Sequence, residues 1–203
     1  MTIEKGQPWG TTVDRPDNLR YLADDAAIAT ALRDGSGHPV AVTGGDLHRT
    51  VGGRDPVGRE QVLKLPIDLL CVTLDDGEPQ HACSHVLIQR PAARGGWWRG
   101  PVVMIMNAEF VGDWHVVARG HPNDGRAESC AWDTDFGLRQ RWEARRRIPV
   151  NQHVPHPQIE TRSFRERTWE FDQTMQVRID GARAVSARRV EIIVEPDAAT
   201  IYA

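Results

Sequence analysis

The sequence predicts a mostly β protein, a two-sheet β-sandwich of many short strands with one or two helices and a short N-terminal α/β remnant. Three observations carry this expectation. Short runs rich in Val, Ile, Leu, Trp and Thr recur from residue 67 to the C-terminus, Asp-Gly and other glycine turns separate them, and helical periodicity shows in only two stretches. A content of 40% hydrophobic and 26% charged residues excludes a disordered chain, and 203 residues suffice for a large core.

Residues 1–17 are rich in Gly, Pro, Asp and Thr and read as an extended arm, with Trp9 as its anchor. Residues 24–33 are alanine-rich, acidic at the start and closed by Arg33, as capping and the helix dipole favour, so a short helix is expected. Residues 39–43 read as a strand running into Gly44-Gly45-Asp46, and residues 47–51 as a brief helical turn. Residues 67–74 and 81–89 read as a hairpin around an Asp-Gly turn, and residues 97–109 and 113–118 as a second pair around Gly112. A short strand is expected at 130–133. Residues 136–147 interrupt the series with a helix that carries Leu138 and Trp142 four apart and ends on Arg145, Arg146 and Arg147. Strands are then expected at 153–165, 169–171, 175–179, 189–195 and 199–202, with a turn at Asp180-Gly181.

A net charge of -3 and a pI near 6.2 give no global attraction to nucleic acid or acidic lipid, so any such binding needs a local patch. Cys71, Cys83 and Cys130 are odd in number and widely spaced, which indicates neither a disulfide framework nor a cysteine zinc site and suits a reducing cytoplasm. No apolar run approaches the roughly 20 residues of a membrane span, and the first residues have no apolar core of an export signal.

The richest run of site-type residues is 117–128. Asn123-Asp124-Gly125 is a strong turn signal, and a shaped loop there would let Arg119, His121, Asp124 and Arg126 converge, with Arg119, His121 and Arg126 as an anion site. Gly44, Gly45 and Asp46 follow a strand and could offer backbone N–H groups to a nucleotide phosphate. The segment lacks the third glycine of a dinucleotide fingerprint and the Gly-Lys-Ser/Thr of a P-loop, so a plain structural turn is the favoured reading. His115, His121, His153 and His156 invite a zinc reading, but Pro155 bars a regular helix across the last two and a strand would point them to opposite faces. Arg145, Arg146 and Arg147 could hold phosphate or simply complement the helix dipole. The seven tryptophans, Trp97-Trp98 among them, are core or interface residues, or the lining of an apolar groove.

Several segments, in order, resemble the C-terminal β-sandwich domain of the bacterial diacylglycerol-kinase-like lipid kinases, relatives of the NAD kinases. Residues 42–52, Val-Thr-Gly-Gly-Asp-Leu-His-Arg-Thr-Val-Gly, resemble the family's Gly-Thr-Gly-Asn-Asp-Leu-Ala-Arg-Thr-Leu-Gly crossover. Ile67-Asp68-Leu69 resembles its Val-Asp-Leu strand start, and Met106-Asn107 through Gly112 its strand with Asn and Gly. Residues 121–127 resemble its Asp-Gly loop, residues 153–157 its His-Val-x-His-Pro strand, and Ile179-Asp180-Gly181 its late Asp-Gly-Glu turn. The resemblance implies a division into residues 1–38, an arm and helix, and 39–203, the lipid-kinase-like domain. It also implies Mg²⁺ at Asp124 and ATP near Gly44, Gly45 and Asp46.

Two departures bear on activity. The family's Gly-Gly-Asp-Gly-Thr phosphate loop is not found, and Ala182 stands where the family has the glutamate thought to accept a proton. Alanine cannot take a proton, which leaves the adjacent Asp180 as the catalytic candidate. The expectation is a catalytically incomplete module that binds a lipid or phosphate-bearing ligand, or a partner chain. The alternatives are an ATP-dependent lipid or small-molecule kinase whose nucleotide domain comes from another chain, and a structural subunit that forms a homo-oligomer through its sheet edges.

Overall fold

A computed structural model describes residues 9–203. The first eight residues of the expected arm lie outside the described part. The fold is mostly β: eleven strands form one hydrogen-bonded sheet and two more form a small ribbon. In chain order the elements are β1 (Thr11–Asp14), β2 (Arg20–Leu22), α1 (Asp25–Arg33), β3 (Val40–Val42), α2 (Gly45–Thr50), β4 (Gln61–Leu74), β5 (Gln80–Ala82), β6 (His85–Gln89), β7 (Val102–Met106), β8 (Phe110–Val111), β9 (Trp114–His115), β10 (Ala127–Trp132), α3 (Leu138–Arg147), β11 (Ile159–Phe164), β12 (Glu166–Ile179) and β13 (Val185–Tyr202). The main path runs β1-β4-β13-β12-β6-β7-β10-β11, with β5 on β4 and the parallel pair β2 and β3 joined to the end of β13.

The arm is pinned where it is described. Trp9 donates from Nε1 to the Pro66 carbonyl (3.1 Å), and Thr11–Asp14 pairs with β4. Helix α1 starts where expected because the Asp24 carboxylate caps the Ala27 amide at 2.9 Å. The hairpin expected over 67–89 differs. β5 returns beside β4 only through Ala82; the chain then breaks at Cys83-Ser84, and β6 leaves to pair with β7 and β12. Residues 97–98 form a 3-10 turn rather than strand, and residues 153–158 precede β11 rather than belonging to it. Gaps expected at 172–174 and 196–198 are register shifts inside the continuous strands β12 and β13.

Strand β4 serves two cores. Leu65, Ile67 and Leu69 pack with α1, α2 and the end of β13, whereas Leu70, Val72 and Leu74 pack with β6, β7, β12 and the middle of β13. Burial switches face between Leu69 and Leu70, since neighbouring residues on a strand point to opposite sides. A third cluster lies under α3, where Trp97, Trp132, Phe136 and Ile148 pack on the other face of β7 and β10. Arg141 locks that helix. Its buried guanidinium donates to the carbonyls of Trp97, Gly100, Asp133 and Phe136, so a charge removed from water finds four acceptors.

Candidate functional site

The break between β5 and β6 creates a corner that is closed by one side chain. Asp180 accepts the amides of Cys83 (2.7 Å), Ser84 (2.9 Å) and His85 (2.8 Å), while its own amide donates to the His85 carbonyl. It occupies the first position of the Asp180-Gly181 turn, and both residues have positive φ, as a tight two-residue hairpin turn requires. With its oxygens committed to three backbone donors, Asp180 fixes the corner and is poorly placed as a proton acceptor for a substrate. Ala182 donates its amide to the Ile179 carbonyl and accepts the Arg178 guanidinium at its own carbonyl, both through backbone atoms.

Helices α1 and α2 each bring one more carboxylate to the corner. Asp25, the first residue of α1, accepts the amides of Asp46 (2.7 Å) and Leu47 (3.2 Å) at the start of α2. Gly45 is required beside it, because its φ is +86° and a Cβ would meet an Asp25 oxygen at 2.3 Å. Of the amides that the sequence offers to a phosphate at Gly44, Gly45 and Asp46, that of Asp46 is thus held by the Asp25 carboxylate. Asp46 turns outward instead. One oxygen accepts the Gly112 amide (2.8 Å), and the other lies 3.4 Å from Nδ1 of His85, which is also 3.1 Å from the Ser84 hydroxyl.

One donor atom from each of Asp25, Asp46 and His85 falls within 4.8 Å of the others. The electrostatics follow from burial and like charge. Burial lifts Asp180 to about 7, Asp46 to about 6 with Asp25 adding to it, and Asp25 above its usual range. Burial lowers His85 to about 4, so its imidazole is neutral at pH 7 and offers a lone pair rather than a positive charge. The corner thus gathers carboxylates, and the cation that acts on Asp46 is Arg49 of the same helix, whose guanidinium donates to the Gly112 carbonyl and only partly offsets the burial.

The loop at residues 117–128 is organised from a different aspartate. Asp68, buried in β4, accepts the amides of Gly125 (2.6 Å) and Asp197 (2.8 Å), and its own amide donates to the Pro122 carbonyl (2.7 Å). Asn123 bridges to Asp197 at 3.0 Å, and Asn107 ties Asp68 to the corner by donating to the carbonyls of Asp68 (3.0 Å) and Cys83 (2.9 Å). Asp124 caps its own turn through the Arg126 amide (2.9 Å), and burial raises it to about 6. Among the described residues it joins neither group of three close metal-type donors.

The expected anion site is not drawn together. Arg126 turns to the Ser163 hydroxyl and carbonyl, His121 meets the Trp9 ring edge-on at 4.5 Å, and Arg119 is exposed. Among the described residues, His115, His121, His153 and His156 fall in neither group of three close metal-type donors. The other close donor group is Cys71, His81 and Glu195, and there the Arg33 guanidinium already serves as the cation, 2.6 Å from His81 and 2.7 Å from Glu195.

Asp25, Cys83, Ser84, His85 and Asn107 were not picked out by spacing. Asp68 had a readable signal: it is an acid inside the apolar run Leu-Pro-Ile-Asp-Leu-Leu, and a buried acid in a strand needs donors.

No family model matches the chain, and no curated protein sequence matches it. Solved structures do. Two structures from Bacillus anthracis str. Sterne, provisionally named as a diacylglycerol kinase, superpose with TM-scores of 0.67 and 0.66 at 13% and 12% identity. They cover 90% and 91% of this chain and 76% and 77% of their own. A third, named among the diacylglycerol kinases of the same strain, gives 0.63 at 13% identity over 91% and 75%. At such identities the likeness shows a shared fold.

Proposed function

We propose that the protein is a lipid-kinase-like ligand-binding module whose site is the corner formed by Asp25, Asp46 and His85, and that a divalent cation, Mg²⁺, links it to a phosphate-bearing ligand. The observation that carries this reading is the convergence of two carboxylates with raised pKa values and a neutral imidazole, held by Asp180. A cation relieves the repulsion that raises those carboxylates. The donor set suits a hard ion of this kind, which takes one or two carboxylates and keeps several waters. Asp46 would hold it, and Asp25 would set the charge behind it. When bound, the ion supplies positive charge against phosphate oxygens.

Turnover is the second reading, favoured by the likeness to proteins named as diacylglycerol kinases. It calls for ATP-dependent phosphoryl transfer to a lipid or other hydroxyl, with the nucleotide held in part by a further chain. Neither Asp180 nor Ala182 is suited to take the proton, so such a reaction rests on Asp46.

Calorimetric titration with ATP, with and without Mg²⁺, tests the proposal on the wild type and on Asp46→Asn. Saturable binding that needs Mg²⁺ and falls at least tenfold in the variant supports it. Binding indifferent to Mg²⁺ or to Asp46, or no binding of ion or nucleotide, overturns the placement. Acceptor-dependent ATP consumption that Asp46→Asn abolishes would favour turnover.

A further inference from the structure

The outward side of α3 has a composition that its surroundings do not use. Arg141 and Ala144, with Ile148 just beyond the helix, face the core, while Leu138, Arg139, Trp142 and Arg146 face solvent. Leu138 is 53% exposed, Trp142 51% and Val150, in the 3-10 turn that follows, 61%. Trp98, 37% exposed, stands nearby, with the Arg145 guanidinium 5.4 Å from its ring. Half of the exposed large apolar residues among those described therefore belong to this one region, since the others are Tyr21, Val57, Val185 and Ile193.

Arginines are interleaved with them. Arg146 lies over the Trp142 ring at 4.7 Å, and Arg139, Arg145 and Arg147 complete the group, with Glu143 as the acid of the helix face, 3.9 Å from Arg139. Trp142, Glu143, Arg146, Arg147, Val150 and Gln152 line a shallow groove of about 340 Å³. In a chain of net charge -3 this is a local excess of positive charge.

We infer that this face docks on an anionic lipid surface. An interfacial element needs aromatic and aliphatic side chains to enter the headgroup region and arginines to meet lipid phosphates, with each basic residue adding about 1 kcal/mol near an acidic leaflet. The face has both. Tryptophan and arginine stacked on one another suit that boundary, where the ring is half wet and the guanidinium can pair with phosphate. Arg141 holds the helix by four carbonyls, so the outward face is presented without rearrangement. The inference is independent of the carboxylate corner.

Co-sedimentation of the full chain with phosphatidylcholine vesicles, with and without admixed phosphatidylserine, tests it. Binding is expected only to the anionic vesicles and should weaken with salt. The double change Arg146→Gln, Arg147→Gln should weaken it about thirtyfold, two charges' worth, and Trp142→Ala about tenfold, while Val185→Ser, at the exposed start of β13, leaves it unchanged. Melting temperatures near wild type show that the variants fold. Absence of binding, equal binding to neutral vesicles, or affinities unaltered by both α3 changes would overturn the inference. So would a wild-type dimer that Trp142→Ala turns into monomer, because a second copy would then occupy the face.

Discussion

Asp68 and Asp180 are two buried aspartates that do nearly the same job in different company. Each gathers backbone amides from a segment that could not otherwise keep its shape: Asp68 takes Gly125 and Asp197, and Asp180 takes Cys83, Ser84 and His85. Around Asp68 the next polar groups include the neutral amides of Asn107 and Asn123 and the carboxylates of Asp124 and Asp197, with Asn123 donating to Asp197 as well as to Asp68. Around Asp180 they include the carboxylates of Asp25 and Asp46 and a neutral histidine. A buried acid supplied with donors is architecture; several acids supplied with too little positive charge are a place for a ligand. The comparison separates a loop that looked like a site from a strand break that looked like nothing.

Removing the first hub gives the largest expected effect. Asp68→Ala strands the buried Gly125 amide and the part-buried Asp197 amide, each costing about 1–3 kcal/mol, so a loss of about 3–5 kcal/mol and a melting temperature lower by about 10 °C are expected. Hydrogen exchange should place the lost protection at Gly125 and Asp197. If the loop keeps its protection, Asp68 is not its organiser.

Asp180→Ala should cost somewhat less, and its cost should depend on pH. The folded carboxyl titrates near 7 and the unfolded one near 3.8, so the folded state binds the extra proton between those values. The stability it lends is therefore full below about pH 4 and declines as pH rises to 7. The penalty of the variant should shrink from pH 5 to pH 8 in parallel melts; a constant penalty would mean that burial, with Asp25 beside it, does not raise the Asp180 carboxyl.

Asp46→Asn should be mildly stabilising. The amide oxygen can still accept the Gly112 amide while the repulsion with Asp25 disappears. An increase of a few degrees at pH 8 is expected, fading toward pH 4 where the wild-type carboxyl is protonated. Mg²⁺ should raise the wild-type melting temperature at pH 8 and leave the variant unmoved. The smallest effect belongs to Arg126→Ala, whose exposed contacts to Ser163 should be worth under about 1 kcal/mol; phosphate affinity lost by this change would restore the loop as an anion site.

Local signals in the sequence locate α1, α3 and the Asp180-Gly181 turn, because capping acids, helical spacing and positive-φ turn residues act between near neighbours. Residues 172–174 and 196–198 have the composition of strand breaks but are register shifts, since a polar interval looks the same whether a strand ends or only shifts register. The break at Cys83-Ser84 was invisible for the opposite reason. Ala-Cys-Ser-His-Val keeps the composition of a strand, and only its turn toward Asp180, some 97 positions away, parts it from β4. Asp46 was legible as a residue of interest but not in its role, which depends on Asp25 occupying the amides that a phosphate would need.

The change of face between Leu69 and Leu70 in β4 binds the two cores into one melting unit. α1 and α2 rest on Leu65, Ile67 and Leu69, and the larger core rests on Leu70, Val72 and Leu74 of the same strand, with β13 beside both. Neither layer can lose its packing without withdrawing a shared strand from the other. Heating should therefore produce a single cooperative transition, and cutting the chain before β3 should expose the Val42 and Leu47 side of that strand pair and bring the whole sheet down with it.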